Sequence, residues 1–269
     1  MLMISTEVLN NSHQSLSLML FGSLAALIMA LVLPQIVAIY LSTNGRPGPV
    51  WISIPVDVQA VELDIEKCEG FIPEVLNIDQ SVLHNDVKNI VDKISVSKRP
   101  VIIGSTGIRL GNAMTEFEEF ANLTGIPLVT AWSHDIIHHD HQNYVGKQGS
   151  IGNRAGNFAV QNSDLVIIIG SRMPIRQLSY NWENFAREAY KIHIDIDPAE
   201  LQRPFLKADL PLVYDAKVIL TSLNEELNKG NKPLDFKEWL GWCIDRKIKY
   251  PVVLEHHKDP TKPINPYYF

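Results

Sequence analysis

The chain has 269 residues and carries 24 Lys and Arg against 30 Asp and Glu, a formal net charge of −6. Its 46% apolar and 20% charged residues are typical of a folded globular protein and exclude collagen-like, disordered and low-complexity chains. The acidic balance, without a dense basic run, excludes the electrostatic footprint of a nucleic-acid-binding protein. The two cysteines, Cys68 and Cys243, form no CxxC motif, so we expect a reducing compartment and a cytoplasmic protein.

The N-terminal region departs from this average. No charged residue lies between Glu7 and Arg46, and residues 16–33 are almost wholly apolar, about the length that spans a bilayer core. The basic flank of a membrane anchor and the positive start of a signal peptide are both missing. We therefore predict that residues 1–37 form a poorly packed apolar helix outside the functional fold, from a start in another frame or a gene truncation. Membrane insertion through residues 16–33 is the alternative.

Regular helix and strand patterns begin at Asp79, the predicted N-cap of a helix that ends before Arg99-Pro100. The apolar run Val101–Gly104 then predicts a buried strand. A second helix ends at Gly125, and Ile126–Thr130 predicts the next strand. The apolar faces of the two helices consist of Leu83, Val87, Ile90, Val91 and Ile94 in the first, and Phe117, Phe120, Ala121 and Leu123 in the second.

The pattern continues with strands predicted at Leu165–Gly170, Tyr190–Asp197 and Leu212–Tyr214, the last leading into a helix over Ala216–Leu227. Apolar strands that alternate with amphipathic helices predict a parallel sheet covered on both faces. The expected fold class is therefore α/β, a Rossmann-like doubly wound sheet of about residues 80–230. Beyond it, Trp239, Trp242 and Cys243 recur at the spacing of one helix face that packs on a neighbour.

Ligands of such sheets bind at the carboxyl ends of the strands. The turn Gly104–Gly107 opens a predicted helix whose N–H groups are suited to a phosphate, although its spacing departs from GxGxxG. Arg172 follows the strand Leu165–Gly170, and Asp195 and Asp197 at the end of the next strand suit ribose hydroxyls. A plain turn, a surface ion pair and a helix N-cap are the structural alternatives, but together these residues favour a nucleotide-type pocket.

The sequence gives little support for a metal site or for nucleophilic catalysis. One loop contains six potential ligands, His134, Asp135, His138, His139, Asp140 and His141. Their spacing matches no zinc pattern, so we expect a solvated loop and no specific metal site. No GxSxG motif occurs, and neither cysteine lies in an evident electropositive turn near a histidine, so nucleophilic catalysis is not expected.

A long motif, Gly-Arg-Pro-Gly-Pro-Val-Trp-Ile-Ser-Ile-Pro-Val-Asp-Val-Gln at residues 45–59, resembles the end of the pyrimidine-binding domain of thiamine diphosphate-dependent enzymes. It predicts a rigid turn at Gly45–Pro49, a last buried strand at Val50–Ile54 and a linker from Pro55. The resemblance implies a domain end at residues 38–60 and a linker at 61–78.

Residues 79–230 resemble the central domain of the same enzymes, those similar to the acetolactate synthase large subunit. Matching pieces are Arg99–Gly104, Gly149 with Gly152, Asn157–Leu165, Gly170–Arg172 and His193–Glu200. The family holds FAD, ADP or nothing along these strand ends, and contacts the adenine side near Asp215. The implied cofactor-binding residues are Gly104, Ser105, Thr106, Gly107, Gly149, Gly170, Ser171, Arg172, Asp195, Asp197 and Asp215.

Departures from the family shape the functional expectation. The family's catalytic glutamate and its Mg²⁺-binding GDG motif have no counterpart, and residues 231–269 read as a linker toward a diphosphate-binding domain. Lys147–Ser150 replaces a Met-His-Gly-Thr sequence, so we expect ADP or neither nucleotide ahead of FAD. The resemblance implies a fragment of a homo-oligomeric 2-oxo acid carboligase or decarboxylase, a transferase using thiamine diphosphate and Mg²⁺, inactive alone. The alternative is a stand-alone ADP- or FAD-binding or interaction module, with residues 16–33 as an optional membrane anchor.

Overall fold

The computed structural model describes residues 3–5, 35–56, 71–73, 77–133, 135–230 and 234–268. The chain divides into two compact units, Met1–Ile78 and Asp79–Phe269. The apolar residues 16–33 and most of the predicted linker at 61–78 lie outside the described residues. In the part that is described, no helix has both the length and the apolar character that crossing a membrane requires.

The first unit contains a small antiparallel strand pair. Strand β1 (Met3–Ser5) pairs with β2 (Trp51–Ser53), and residues 35–43 are helical. Residues 3–5 are thus a strand where we expected helix. The prediction of a buried strand at Val50–Ile54 is wrong, since β2 is shorter and the side chain of Trp51 is 72% exposed. Within the described residues β2 pairs with β1 alone, and a two-stranded ribbon does not bury both of its faces.

Six parallel strands form the sheet of the second unit, in the order β5-β4-β3-β6-β7-β8. They are β3 (Pro100–Gly104), β4 (Leu128–Thr130), β5 (Tyr144–Lys147), β6 (Leu165–Ile169), β7 (Tyr190–Asp195) and β8 (Leu210–Val213). The chain starts at the centre, runs outward through β4 and β5, and returns to place β6 beside β3. This is the Rossmann strand order, with its topological switch point between β3 and β6. The predicted fold class is confirmed.

Helices cover both faces of the sheet. They are α1 (Gln80–Val96), α2 (Thr106–Leu110), α3 (Met114–Thr124), α4 (Arg154–Gln161), α5 (Ile175–Leu178), α6 (Pro198–Leu201), α7 (Ala216–Lys229) and α8 (Lys237–Lys249). Helix α7 packs against α1 and α3, whereas α8 packs against α4. As predicted, Asp79 caps α1 by accepting the N–H groups of Ser81 and Val82, and α3 ends at Gly125 in the left-handed region. Leu123, predicted on the buried face of α3, is instead partly exposed.

The core on the α4 and α8 side is built from alternate strand residues. Because β3, β6 and β7 are in register, Ile103, Ile168 and His193 lie side by side on this face. Trp239 and Cys243 of α8 belong to the same buried cluster, and the indole N–H of Trp239 donates to the carbonyl of Pro100 at 2.9 Å. The predicted packing face of Trp239, Trp242 and Cys243 is thus confirmed. Within the segment 231–269, expected to be a linker, residues 237–249 form a core helix of this unit.

Candidate functional site

The candidate residues share the carboxyl edge of the sheet. All six strands are parallel, so the loops after β3, β5, β6, β7 and β8 emerge at the same edge. Backbone hydrogen bonds hold the loops after β6 and β8 against the end of β7: the N–H of Gly170 donates to the carbonyl of Ile194, and that of Tyr214 donates to the carbonyl of Asp195. Gly104–Gly107, Gly149, Gly170–Arg172, Asp195, Asp197 and Asp215 follow these strand ends.

At the switch point the loops after β3 and β6 meet backbone to backbone. The N–H of Gly107 donates to the carbonyl of Gly170 at 3.0 Å, and Gly170 has a φ of +59°. A Cβ placed on Gly107 would lie 2.6 Å from the Cα of Gly170, closer than side chains tolerate. Both positions require glycine, because the backbones of the two loops approach each other this closely.

The N–H groups of the glycine-rich turn are largely engaged within the chain. Ser105 donates to Ile169 at 3.2 Å, Gly107 to Gly170, and Ile108 to Ser105 at 3.0 Å. Phosphate binding by this turn stays a prediction, but these three donors would have to exchange their partners. The hydroxyl of Thr106 lies 3.0 Å from that of Ser133. Ser133 follows β4 at the same edge and was not selected from the sequence.

Arg172 is paired with a buried carboxylate. Its Nε lies 2.9 Å from Oε1 of Glu200 in α6, and Nε of Arg203 lies 2.6 Å from Oε2 of the same group. The side chain of Glu200 is 4% exposed, whereas those of Arg172 and Arg203 are 59% and 31% exposed. Arg172 thus forms an ion pair, one of the structural alternatives. Its partner is a buried carboxylate and not a surface group. The same carboxylate also binds Arg203, which was not selected from the sequence.

The aspartates at this edge have structural partners. Asp197 caps α6 by accepting the N–H of Ala199 at 2.9 Å, and Asp215 caps α7 by accepting those of Lys217 and Val218. Asp195 is buried and accepts the N–H of Asp197 at 3.0 Å. Asp197 is thus a helix N-cap, one of the structural alternatives. Contacts of these aspartates with a ribose or an adenine stay predictions.

Gly149 joins the loops after β5 and β6. Its N–H donates to the side chain of Asn157, whose amide donates back to the carbonyl of Gly149. With a φ of +106°, a Cβ at Gly149 would lie 2.5 Å from the carbonyl oxygen of Arg176. A glycine at this position therefore allows the loops after β5 and β6 to lie close together. Beside it, Gln148 is buried, and its Nε2 has no hydrogen-bond partner among the described residues.

A buried histidine lies beneath this edge. His193 donates from Nε2 to the carbonyl of Ser171 at 2.8 Å, while its Nδ1 has no partner in the described part of the chain. Burial lowers the pKa of His193 below its ordinary value of 6.5, although the Ser171 carbonyl, Asp195 and Glu200 act in the opposite direction. His193 is therefore neutral in the folded protein at neutral pH.

This neutral histidine makes stability depend on pH. In the unfolded chain His193 titrates near pH 6.5, about the ordinary value, whereas the folded protein resists protonation. The contribution of His193 to the free energy of unfolding is then fully present above pH 6.5 and falls as the pH drops below it, because the unfolded state binds more protons. In urea denaturation at pH 7.5 to 5, His193→Gln should weaken this dependence, since Gln still donates to Ser171 but does not titrate. The exposed control His256→Gln should retain it; equal slopes for both variants would contradict this prediction.

The histidine-rich loop brings three donor atoms together at the surface. Ligand atoms of His138, His139 and Asp140 lie within 4.8 Å of one another, and all three side chains are exposed. Position 134 lies outside the described residues. The backbone N–H of Asp140 already donates to Nδ1 of His138, and exposed side chains lose conformational freedom on binding an ion. The absence of a specific metal site here stays a prediction.

Comparison with known proteins identifies the second unit. The family described as "Thiamine pyrophosphate enzyme, central domain" matches residues 87–223, a range that contains all six strands of the sheet. The chain is 33% identical to a probable acetolactate synthase large subunit of Methanococcus aeolicus, over 84% of this chain and 39% of the relative. It is also 33% identical to the acetolactate synthase large subunit of Lactococcus lactis, over 86% of this chain and 40% of the relative.

A glyoxylate carboligase of Escherichia coli is 31% identical, over 87% of this chain and 40% of the relative. The chain thus spans about two fifths of the length of the curated relatives that it matches. The family match, the observed Rossmann strand order and the loops at its carboxyl edge all concern the same residues. This chain belongs to the thiamine pyrophosphate enzyme family, in which its second unit is the central domain.

Proposed function

We propose that this chain supplies the central, nucleotide-binding-type domain of an acetolactate synthase-like carboligase or decarboxylase acting on 2-oxo acids. The observation that carries the proposal is the coincidence of the family match at residues 87–223 with the six-stranded sheet. The relatives named as acetolactate synthase and glyoxylate carboligase support the substrate class. In this role the chain would act in the cytoplasm as part of a homo-oligomeric transferase.

We further propose that this chain performs no thiamine chemistry by itself. In the family the bound thiamine diphosphate acts as the electron sink for decarboxylation, with Mg²⁺ on its diphosphate. The 269 residues contain no Gly-Asp-Gly sequence. At the carboxyl edge, Asp197 and Asp215 cap helices, and Glu200 is paired with two arginines. These carboxylates do not fit a Mg²⁺ site, whose ligands must turn their oxygens toward the metal.

A nucleotide diphosphate fits the same edge better than Mg²⁺ does. Guanidinium groups match the geometry of phosphate oxygens, and Arg172 presents one that is more than half exposed. The family's alternatives at this place are FAD, ADP or neither. The replacement of Met-His-Gly-Thr by Lys147-Gln148-Gly149-Ser150 favours ADP over FAD. We propose a binding and supporting role for this domain, with ADP as the preferred nucleotide.

Two assays on the full 269-residue chain test this function. With thiamine diphosphate, Mg²⁺ and pyruvate, we expect no CO₂ release above background, with the acetolactate synthase large subunit of Lactococcus lactis as the positive control. Thiamine-dependent CO₂ release by this chain would contradict the proposal. In isothermal titration calorimetry we expect ADP to bind more tightly than FAD, and tighter FAD binding would contradict the preference for ADP.

A further inference from the structure

The buried carboxylate of Glu200 holds two guanidinium groups where one would balance its charge. A buried carboxylate must be paired, because its desolvation is otherwise strongly unfavourable. Glu200 is paired through Oε1 with Arg172 and through Oε2 with Arg203. The three side chains together carry a net charge of +1, and both arginines reach solvent while the carboxylate does not.

The position of this triad places its positive charge between two strand ends. Arg172 follows β6, and Glu200 and Arg203 lie in and just after α6, which follows β7. His193, whose pKa responds to Glu200 and Asp195, lies beneath the same loops. The two guanidinium groups therefore contact different oxygens of one carboxylate at the carboxyl edge.

Three N–H groups of the glycine-rich turn at this edge are less available to an anion than the two arginines are. The N–H groups of Ser105, Gly107 and Ile108 are engaged with carbonyl groups of the chain. A phosphate would have to displace those hydrogen bonds. The guanidinium groups reach solvent, so they bind an anion without the loss of a backbone hydrogen bond. A fixed guanidinium loses less conformational freedom on binding than a mobile one.

We propose that Glu200 is a positioning residue that holds Arg172 and Arg203 as a two-guanidinium site for the diphosphate group of a nucleotide. This inference rests on the nucleotide-binding role proposed above and adds Arg203 and Glu200 to it. Two adjacent guanidinium groups match two adjacent phosphoryl groups, so the site selects ADP and inorganic pyrophosphate over AMP.

The decisive variant is Glu200→Gln, because positioning and net charge predict opposite results. Removing one negative charge would strengthen anion binding if electrostatics alone mattered. Loss of the partner that fixes both guanidinium groups instead weakens ADP binding, by about tenfold or more if one charge-assisted contact is lost. Arg203→Gln should weaken ADP binding by a similar factor while AMP binding changes less. Arg187→Gln is the control, because Arg187 is exposed and precedes the opposite, amino end of β7.

The measurements are calorimetric titration of the full chain with ADP, pyrophosphate and AMP, and the melting temperature with and without ADP. A purely structural ion-pair network would lower the ligand-free melting temperature of Arg203→Gln but leave its ADP affinity unchanged, which would overturn the inference. Unchanged or tighter ADP binding by Glu200→Gln would also overturn it, as would the absence of ADP and pyrophosphate binding to the unaltered chain.

If Glu200→Gln does not fold, the ADP affinity of Arg203→Gln still tests the inference. CO₂ release with thiamine diphosphate would refute the proposed function without touching this inference.

Discussion

Gly170→Ala is expected to destabilise the protein by about 2–5 kcal/mol, since left-handed strain and overpacking are combined at one residue. Gly170 has a φ of +59°, and an added Cβ would lie 2.8 Å from the Cα of Gly107. The neighbouring atoms are backbone, so they do not rotate away as a flexible side chain would. The free energy of unfolding, measured by urea denaturation, tests this directly.

Gly125→Ala is the matched control for that substitution. Gly125 has a φ of +64°, close to that of Gly170, but an added Cβ would meet nothing within 4 Å. This variant should show only the left-handed strain, roughly 1–2 kcal/mol. Equal losses in the two variants would contradict the close contact between the loops after β3 and β6.

Trp239→Ala is expected to cost about 3–5 kcal/mol, the range for removing a large buried aromatic side chain. Trp239 is 6% exposed, stacks on Trp242 with ring centroids 4.9 Å apart, and donates to the carbonyl of Pro100. A smaller loss of about 1–2 kcal/mol is expected for Trp239→Phe, which keeps most of the packing but leaves the Pro100 carbonyl without this donor.

The control for Trp239 is Trp51→Ala, at a side chain that is 72% exposed. This substitution should change the free energy of unfolding by no more than about 0.5 kcal/mol. A small effect at Trp239 as well would contradict the packing of residues 237–249 as a core helix. The thiol of Cys243 reports on the same packing, because burial raises its pKa to about 12 and keeps it protonated.

The fold was predictable where burial determines the residue type. Strands β3 and β6 are buried along their whole length, so each reads as an unbroken apolar run. Strand β5 was not predicted, because it lies at the edge of the sheet and its Tyr144-Val145-Gly146-Lys147 sequence is only half buried. Helix α4 was also missed. It is short, and its signal is the Asn153 side chain that accepts the N–H of Gly156.

The candidate site was predictable only as far as the strand ends. Position after a parallel strand correctly placed Arg172 and Asp195 at one edge, since this depends on chain order and sheet topology. The partners of these residues depend on tertiary contacts that no local pattern contains. The signal available for Glu200 and Arg203 was their spacing of three residues after the N-cap Asp197, which brings the two side chains together at the end of a short helix. Asp197 and Asp215 show that a cap and a ligand produce the same sequence pattern.

The most direct test is a crystal structure of the full chain grown with ADP. We predict that the diphosphate lies at the carboxyl edge between β6 and β7, on the guanidinium groups of Arg172 and Arg203, with Glu200 still buried between them. A diphosphate bound to the N–H groups of Gly104–Gly107, with the contact between Gly107 and Gly170 opened, would contradict the account. A crystal grown at saturating ADP that contains no nucleotide at this edge would also contradict the account.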